Sequence, residues 1–166
     1  EKLNFELFFP TNNFTNDYNI HTAGRITEFK NNKLILSIGA PKETRENAQN
    51  IKSFEGKIIS INLNDKKTQI ISMGHRNAQG LFYEDTLDLV INTEHGPKGG
   101  DEINFNRVNE YQNIPNFGWP ISSYGIEYSG KDPFKKSHKD YGFIEPIKNF
   151  TPSIGISEIT FIKNNE

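Results

Sequence analysis

The chain has 166 residues, a formal net charge of −2 and a hydrophobic fraction of 34%, which suits one water-compatible domain with an economical core. No lysine- or arginine-rich stretch is long enough to track a phosphate backbone, and no apolar run reaches the roughly 18 residues of a membrane helix, so neither nucleic-acid binding nor a membrane span is expected. The absence of cysteine excludes disulfides, thiolate metal sites and cysteine nucleophiles, while 13 Phe and 6 Tyr supply the burial that a disordered chain lacks.

Taken in order, the apolar pattern is that of strands. Short β-prone runs occupy residues 2–9, 24–29, 33–38, 57–63, 68–73, 80–83, 87–92 and 157–162, each bounded by turn residues. Asn31-Asn32 and Asn64-Asp65 fall between runs, where tight turns require tolerance of positive φ. A 3.6-residue period is sustained nowhere, so the chain is expected to be all-β. The stretch Ile26-Thr27-Glu28-Phe29-Lys30-Asn31-Asn32-Lys33 is echoed at Ile159-Thr160-Phe161-Ile162-Lys163-Asn164-Asn165-Glu166, with a weaker copy from Gly80. Repeated β-units of this size predict propeller blades. Residues 1–10 are then the outer strand of an earlier blade and 21–74 a complete blade. Residues 75–152 form a second blade with a long loop from about 108 to 150, and 153–166 start a third. A propeller ending there would have open edges, so a fragment of a larger protein is expected.

Four stretches are too particular for ordinary turns: His21-Thr22-Ala23-Gly24-Arg25, Gly74-His75-Arg76-Asn77-Ala78-Gln79-Gly80, Glu94-His95-Gly96-Pro97-Lys98-Gly99-Gly100-Asp101-Glu102, and Asn116-Phe117-Gly118-Trp119-Pro120. In this order they resemble the soluble quinoprotein glucose/sorbosone dehydrogenases, above all the aldose sugar dehydrogenase branch. That resemblance implies a partial six-bladed β-propeller of about two to three four-stranded blades. It also implies an oxidoreductase that oxidises aldoses at the anomeric carbon by hydride transfer to pyrroloquinoline quinone, with calcium holding the cofactor. A sugar substrate, an external electron acceptor and a periplasmic or secreted location follow from the same likeness. The alternative is a catalytically silent propeller that binds carbohydrate or a protein partner, since relatives without demonstrated redox activity share the fold.

Carried over residue by residue, the resemblance makes His21 the general base, because imidazole accepts a hydroxyl proton near neutral pH. Arg76 and Asn77 become cofactor ligands, a guanidinium fork suiting a quinone oxygen that gains negative charge. Gly96 and Pro97 read as a plain turn, but the resemblance gives their backbone carbonyls to calcium, an ion that takes such oxygens readily. His75 and Gln79 are expected to orient the loop, Trp119 to sit in the core, and His138, within Lys135-Lys136-Ser137-His138-Lys139-Asp140, to face solvent. Asp101 and Glu102 are either supporting partners of the ion, a separate cation site or structural carboxylates. Tyr124 and Tyr128 are candidates for stacking on a sugar ring. The chain departs from the family's pattern at Ala40-Pro41, where an aspartate is expected to pair with the base. Without that carboxylate His21 should be a weaker base unless Glu43 or Glu46 substitutes.

Overall fold

The computed structural model describes residues 4, 6–9, 23–160 and 162. Two four-stranded antiparallel sheets carry the fold, each a meander in which sequence neighbours pair. The first comprises β1 (Ala23–Phe29), β2 (Lys33–Ile38), β3 (Lys57–Asn62) and β4 (Thr68–Met73). The second comprises β5 (Ala78–Glu84), β6 (Leu89–Glu94), β7 (Asp101–Arg107) and β8 (Lys148–Phe150). This is an all-β architecture of two propeller blades.

Local chemistry sets the hairpins. Between β1 and β2, Asn31 and Asn32 adopt φ of 58° and 55°, a region their short polar side chains tolerate. The register then places Phe29 opposite Lys33 and Ile26 opposite Leu36. At the β5–β6 turn Asp88 takes φ 49°, and its carboxylate accepts from Lys30 Nζ at 2.6 Å and from the Tyr83 hydroxyl at 2.8 Å. The two sheets thus share a corner, where the Phe29 and Tyr83 rings meet edge to face with centroids 4.6 Å apart.

β1 lies beside β5, Arg25 Nε donating to Gln79 O at 3.0 Å and Ser37 Oγ to Ala78 O at 2.8 Å. Between the sheets Phe29, Ile35, Ile58, Ile71, Leu81 and Val90 form one apolar cluster. Each such side chain contributes about 1.5–3 kcal/mol when fully buried. A second cluster of Ile38, Ile59 and Ile61 covers the other face of the first sheet, with Phe9, Leu36, Phe54 and Ile70 against it. A third, Ala40, Ala48, Trp119 and Phe134, packs the loops at one end.

Several expectations from the sequence are corrected. The described part of the 2–9 stretch is not strand: residues 4 and 6–9 join no ladder, Leu7 and Phe8 are exposed, the Phe8 ring lies under Lys66 Nζ at 3.5 Å, and Phe9 packs against the sheet. A β-prone run without a ladder partner leaves its backbone groups to solvent. For the same reason residues 153–160 form no strand; they run alongside β5 and β6, with Thr93 Oγ1 donating to Ser157 O at 2.6 Å and Arg25 pairing with Glu158. In contrast, β7 and β8 occupy positions read from the sequence as motif and loop. The connection after β2 contains a 3-10 segment, Lys42–Gln49, kinked at Thr44.

Candidate functional site

The loops at the end of the sheets that holds the start of β5 and the end of β6 meet around Glu94. Residues 92, 94, 102, 104 and 106 alternate onto one face of β6 and β7, and all are buried polar groups. Glu94 accepts from His75 Nδ1 at 2.9 Å, from the Arg76 backbone N–H in a short contact, from Asn77 N–H at 3.3 Å, and from the Asn92 and Asn104 amides at 3.4 Å. Burial works to raise its pKa, but His75 and these donors outweigh it and hold the carboxyl below the usual 4.5. His75 is in turn fixed by Ser72 Oγ at 2.8 Å and stacks on Phe117 at 4.9 Å. Glu94 therefore fixes the backbone of the Arg76-Asn77 turn, a role the sequence did not single out.

From that turn the Arg76 side chain, 5% exposed, reaches His95 O at 2.9 Å and lies over the Trp119 ring at 5.4 Å. Burial pulls its pKa down, opposed by Tyr128 and Glu94. Asn77 turns the other way, and its Oδ1 accepts from the Ala23 N–H at 3.0 Å. It thereby anchors the start of β1, two residues after His21. His21 itself lies outside the described residues.

The Gly96-Pro97 turn completes the wall. A Cβ on Gly96 would stand 2.2 Å from Gly100 O, so only glycine permits the fold-back. Asp101 holds the turn: its Oδ1 accepts from Gly96 N–H at 3.1 Å, and its Oδ2 accepts from the N–H groups of Ile154, Gly155 and Ile156 at 3.1, 2.9 and 3.2 Å. Burial raises the Asp101 pKa, but the Ser153 hydroxyl and these amides prevail and keep it below 3.8. Among the described residues neither the Gly96 nor the Pro97 carbonyl accepts a backbone hydrogen bond, and no cluster of three or more His, Cys, Asp or Glu could hold a metal. Backbone oxygens are thus the donor set on offer, which suits calcium rather than zinc.

Two hollows adjoin this wall. A pocket of about 90 Å³ is lined by Ala40, Lys42, Arg45, Arg76, Pro97, Trp119, Glu127, Tyr128 and Ser129. Glu43 and Glu46 do not line it. Asn77 is also absent from its lining, and Gly96 borders instead a narrower hollow of about 10 Å³ shared with Arg76, Pro97, Glu102 and His138. Arg76, the buried cation of the larger pocket's lining, would suit an acid group of a tri-acidic quinone in charge.

His138 departs from expectation. It is 1% exposed, donates from Nδ1 to Phe117 O at 2.9 Å, stacks on Tyr124 at 5.3 Å, and approaches Glu102 Oε1 through Nε2 at 3.4 Å. Its neighbours in sequence are polar, but the turn returning at Gly142 folds it inward onto the Phe117 backbone. Burial disfavours its imidazolium, yet the Glu102 carboxylate outweighs that and raises its pKa above 6.5. For Glu102 burial acts in the opposite sense and raises its pKa. Trp119 is buried as expected, Tyr124 donates to Glu145 at 2.6 Å, and Tyr128 is exposed.

Comparison with known proteins places this geometry. The family model for glucose/sorbosone dehydrogenase matches residues 3–166, and the chain belongs to that family. It is 36% identical over 162 residues to an uncharacterized protein of Synechocystis, covering 84% of this chain and 38% of that protein. The aldose sugar dehydrogenase of Escherichia coli is 28% identical over 160 residues, covering 88% of this chain and 42% of the enzyme. A crystal structure of soluble aldose sugar dehydrogenase from the same organism, in the apo-form, matches with a TM-score of 0.67 at 26% identity, covering 82% of this chain and 42% of that one. The PQQ-bound aldose sugar dehydrogenase of Streptomyces coelicolor matches at 0.52 and 26% identity, covering 70% and 34%. The chain spans about two fifths of the length of these curated relatives.

Proposed function

We propose that this chain is the site-bearing part of a sugar oxidoreductase that oxidises aldoses at the anomeric carbon and passes the hydride to pyrroloquinoline quinone. The observation that carries the reading is the buried Arg76 guanidinium beside the Gly96-Pro97 turn, in a pocket that also presents Lys42 and Arg45. In this reading the Gly96 and Pro97 carbonyls hold calcium, and Arg76 and Asn77 hold the cofactor, Asn77 through the amide nitrogen left over from its bond to Ala23. The chemistry supplied by the bound quinone and ion is hydride acceptance at a polarised carbonyl. His21 takes the anomeric hydroxyl proton as the C1 hydrogen leaves with its electron pair, so the aldose becomes a lactone. An external acceptor then removes the electrons, and a periplasmic or secreted location fits quinone chemistry of this kind.

A second reading is favoured by Ala40, which lines the pocket where a carboxylate would strengthen the base: a silent propeller that binds carbohydrate or a protein partner. The deciding experiment reconstitutes the full-length protein with quinone and calcium and follows dye reduction across a panel of aldoses, with His21→Ala alongside. Turnover that disappears in His21→Ala supports the dehydrogenase. No turnover, with no quinone bound at high calcium, leaves the binding propeller.

A further inference from the structure

We propose that the pocket beside Ala40 takes an anionic sugar, a uronate or a sugar phosphate, whose negative group is held by Lys42 and Arg45. The inference rests on the sugar-binding reading above and names its substrate class. Charge is the first argument. Lys42, Arg45 and Arg76 line the pocket against the single carboxylate of Glu127. Arg45 is in contact with Glu127 and lies 3.4 Å from Glu46, and Arg76 is engaged by His95 O. Lys42 has no acidic partner among the described residues, and Ala40 beside it on the lining carries no charge. An exposed ammonium is at no cost while it is hydrated, but a carboxylate or phosphate entering the pocket gains a charge-assisted contact that a neutral sugar does not.

Position is the second argument. Arg76 and Pro97 form the buried wall, whereas Lys42 lies exposed at the mouth. A ligand seated first against the wall leaves the mouth to whatever enters after it, and that is the sugar. The Trp119 indole N–H adds a buried donor with no partner among the described residues, on the same lining, for an acceptor oxygen. The Arg45–Glu127 pair keeps the second guanidinium in place without cancelling Lys42.

The test is calorimetric binding to the full-length protein without quinone, so that no turnover is required, using D-glucuronate, D-glucose 6-phosphate and D-glucose. Both anions, or the one whose group fits, should bind at least about tenfold more tightly than glucose, the effect of one charge-assisted contact. Lys42→Gln should abolish that preference and Lys42→Glu reverse it, while high salt should shrink it. Glucose binding as tightly as both anions, or a preference that survives Lys42→Glu, overturns the proposal. A parallel titration with the quinone separates the other source of negative charge: if Lys42→Gln weakens quinone binding and leaves glucuronate untouched, the cations serve the cofactor's carboxylates and the proposal fails. Absence of dye reduction with every sugar in the loaded protein would count against the dehydrogenase reading alone, since the calorimetry decides the charge preference independently.

Discussion

Replacing Glu94 by Gln tests whether one buried carboxylate organises the Arg76-Asn77 turn. The substitution keeps the shape but puts an amide N–H where His75 Nδ1 or the Arg76 N–H now points, so one donor faces another. Two close charge-assisted bonds are worth about 1.5–3 kcal/mol each, and relief of burying a charge returns part of that. A net loss of about 3–5 kcal/mol is expected, the range for breaking a buried ionic contact. At about 2–4 °C per kcal/mol this lowers Tm by on the order of 10 °C. Thermal unfolding of the full-length protein by circular dichroism reads it, and a quinone titration reads the release of Arg76. Because the Glu94 pKa is lowered on folding, its contribution is present above the ordinary carboxylate pKa of 4.5 and is lost as pH falls through the lower folded value. The wild-type Tm should therefore fall more steeply in acid than that of Glu94→Gln. An unchanged Tm together with unchanged quinone affinity would refute the assignment.

Three further outcomes are expected. Gly96→Ala forces a Cβ to 2.2 Å from Gly100 O, so calcium affinity measured by titration should fall by more than tenfold while the sheets persist in the far-ultraviolet spectrum. His138→Gln should narrow in its deficit as pH rises: a histidine whose pKa is raised on folding stabilises fully below 6.5 and less as pH passes through the folded value, so the Tm gap to wild type should be largest near about pH 6 and smallest near about pH 9. Ala40→Asp should raise the apparent pKa of the base in the pH profile of kcat/KM by about 1–3 units and weaken binding of anionic sugars; an unmoved profile would show that position 40 does not reach the base.

Most strands were legible because Ile, Leu, Val and Phe recur in short runs between Asn-, Asp- and Gly-rich turns. β7 was not, since its inward residues are Glu102, Asn104 and Asn106, polar groups that alternate as an exposed face would. They are tolerated inside because they meet Glu94, Ile71 O and each other across the seam, a partnership between distant segments. β8 is three residues long and carries no pattern at all. Arg76, Gly96 and Pro97 were singled out through motif resemblance, and composition alone would have passed over a Gly-Pro turn. The ammonium of Lys57 shows the same limit: a lysine in a strand reads as solvent-facing, yet it is fully buried and donates to Asn47 O, Ala48 O and Glu55 O at 2.8–2.9 Å. Burial pushes its pKa down to about 8, against the charge of Glu55.

Asp101 bears on the order of events at the ribosome. Its carboxylate joins the Gly96 amide to three consecutive amides at 154–156, more than fifty residues later in synthesis. Until that later stretch has emerged, the carboxylate has one backbone donor instead of four and the turn lacks its brace. The Gly96-Pro97 turn thus becomes fixed only after the succeeding segment arrives, so under the proposed function loading with ion and cofactor would be a late checkpoint on assembly, not an early nucleus for it.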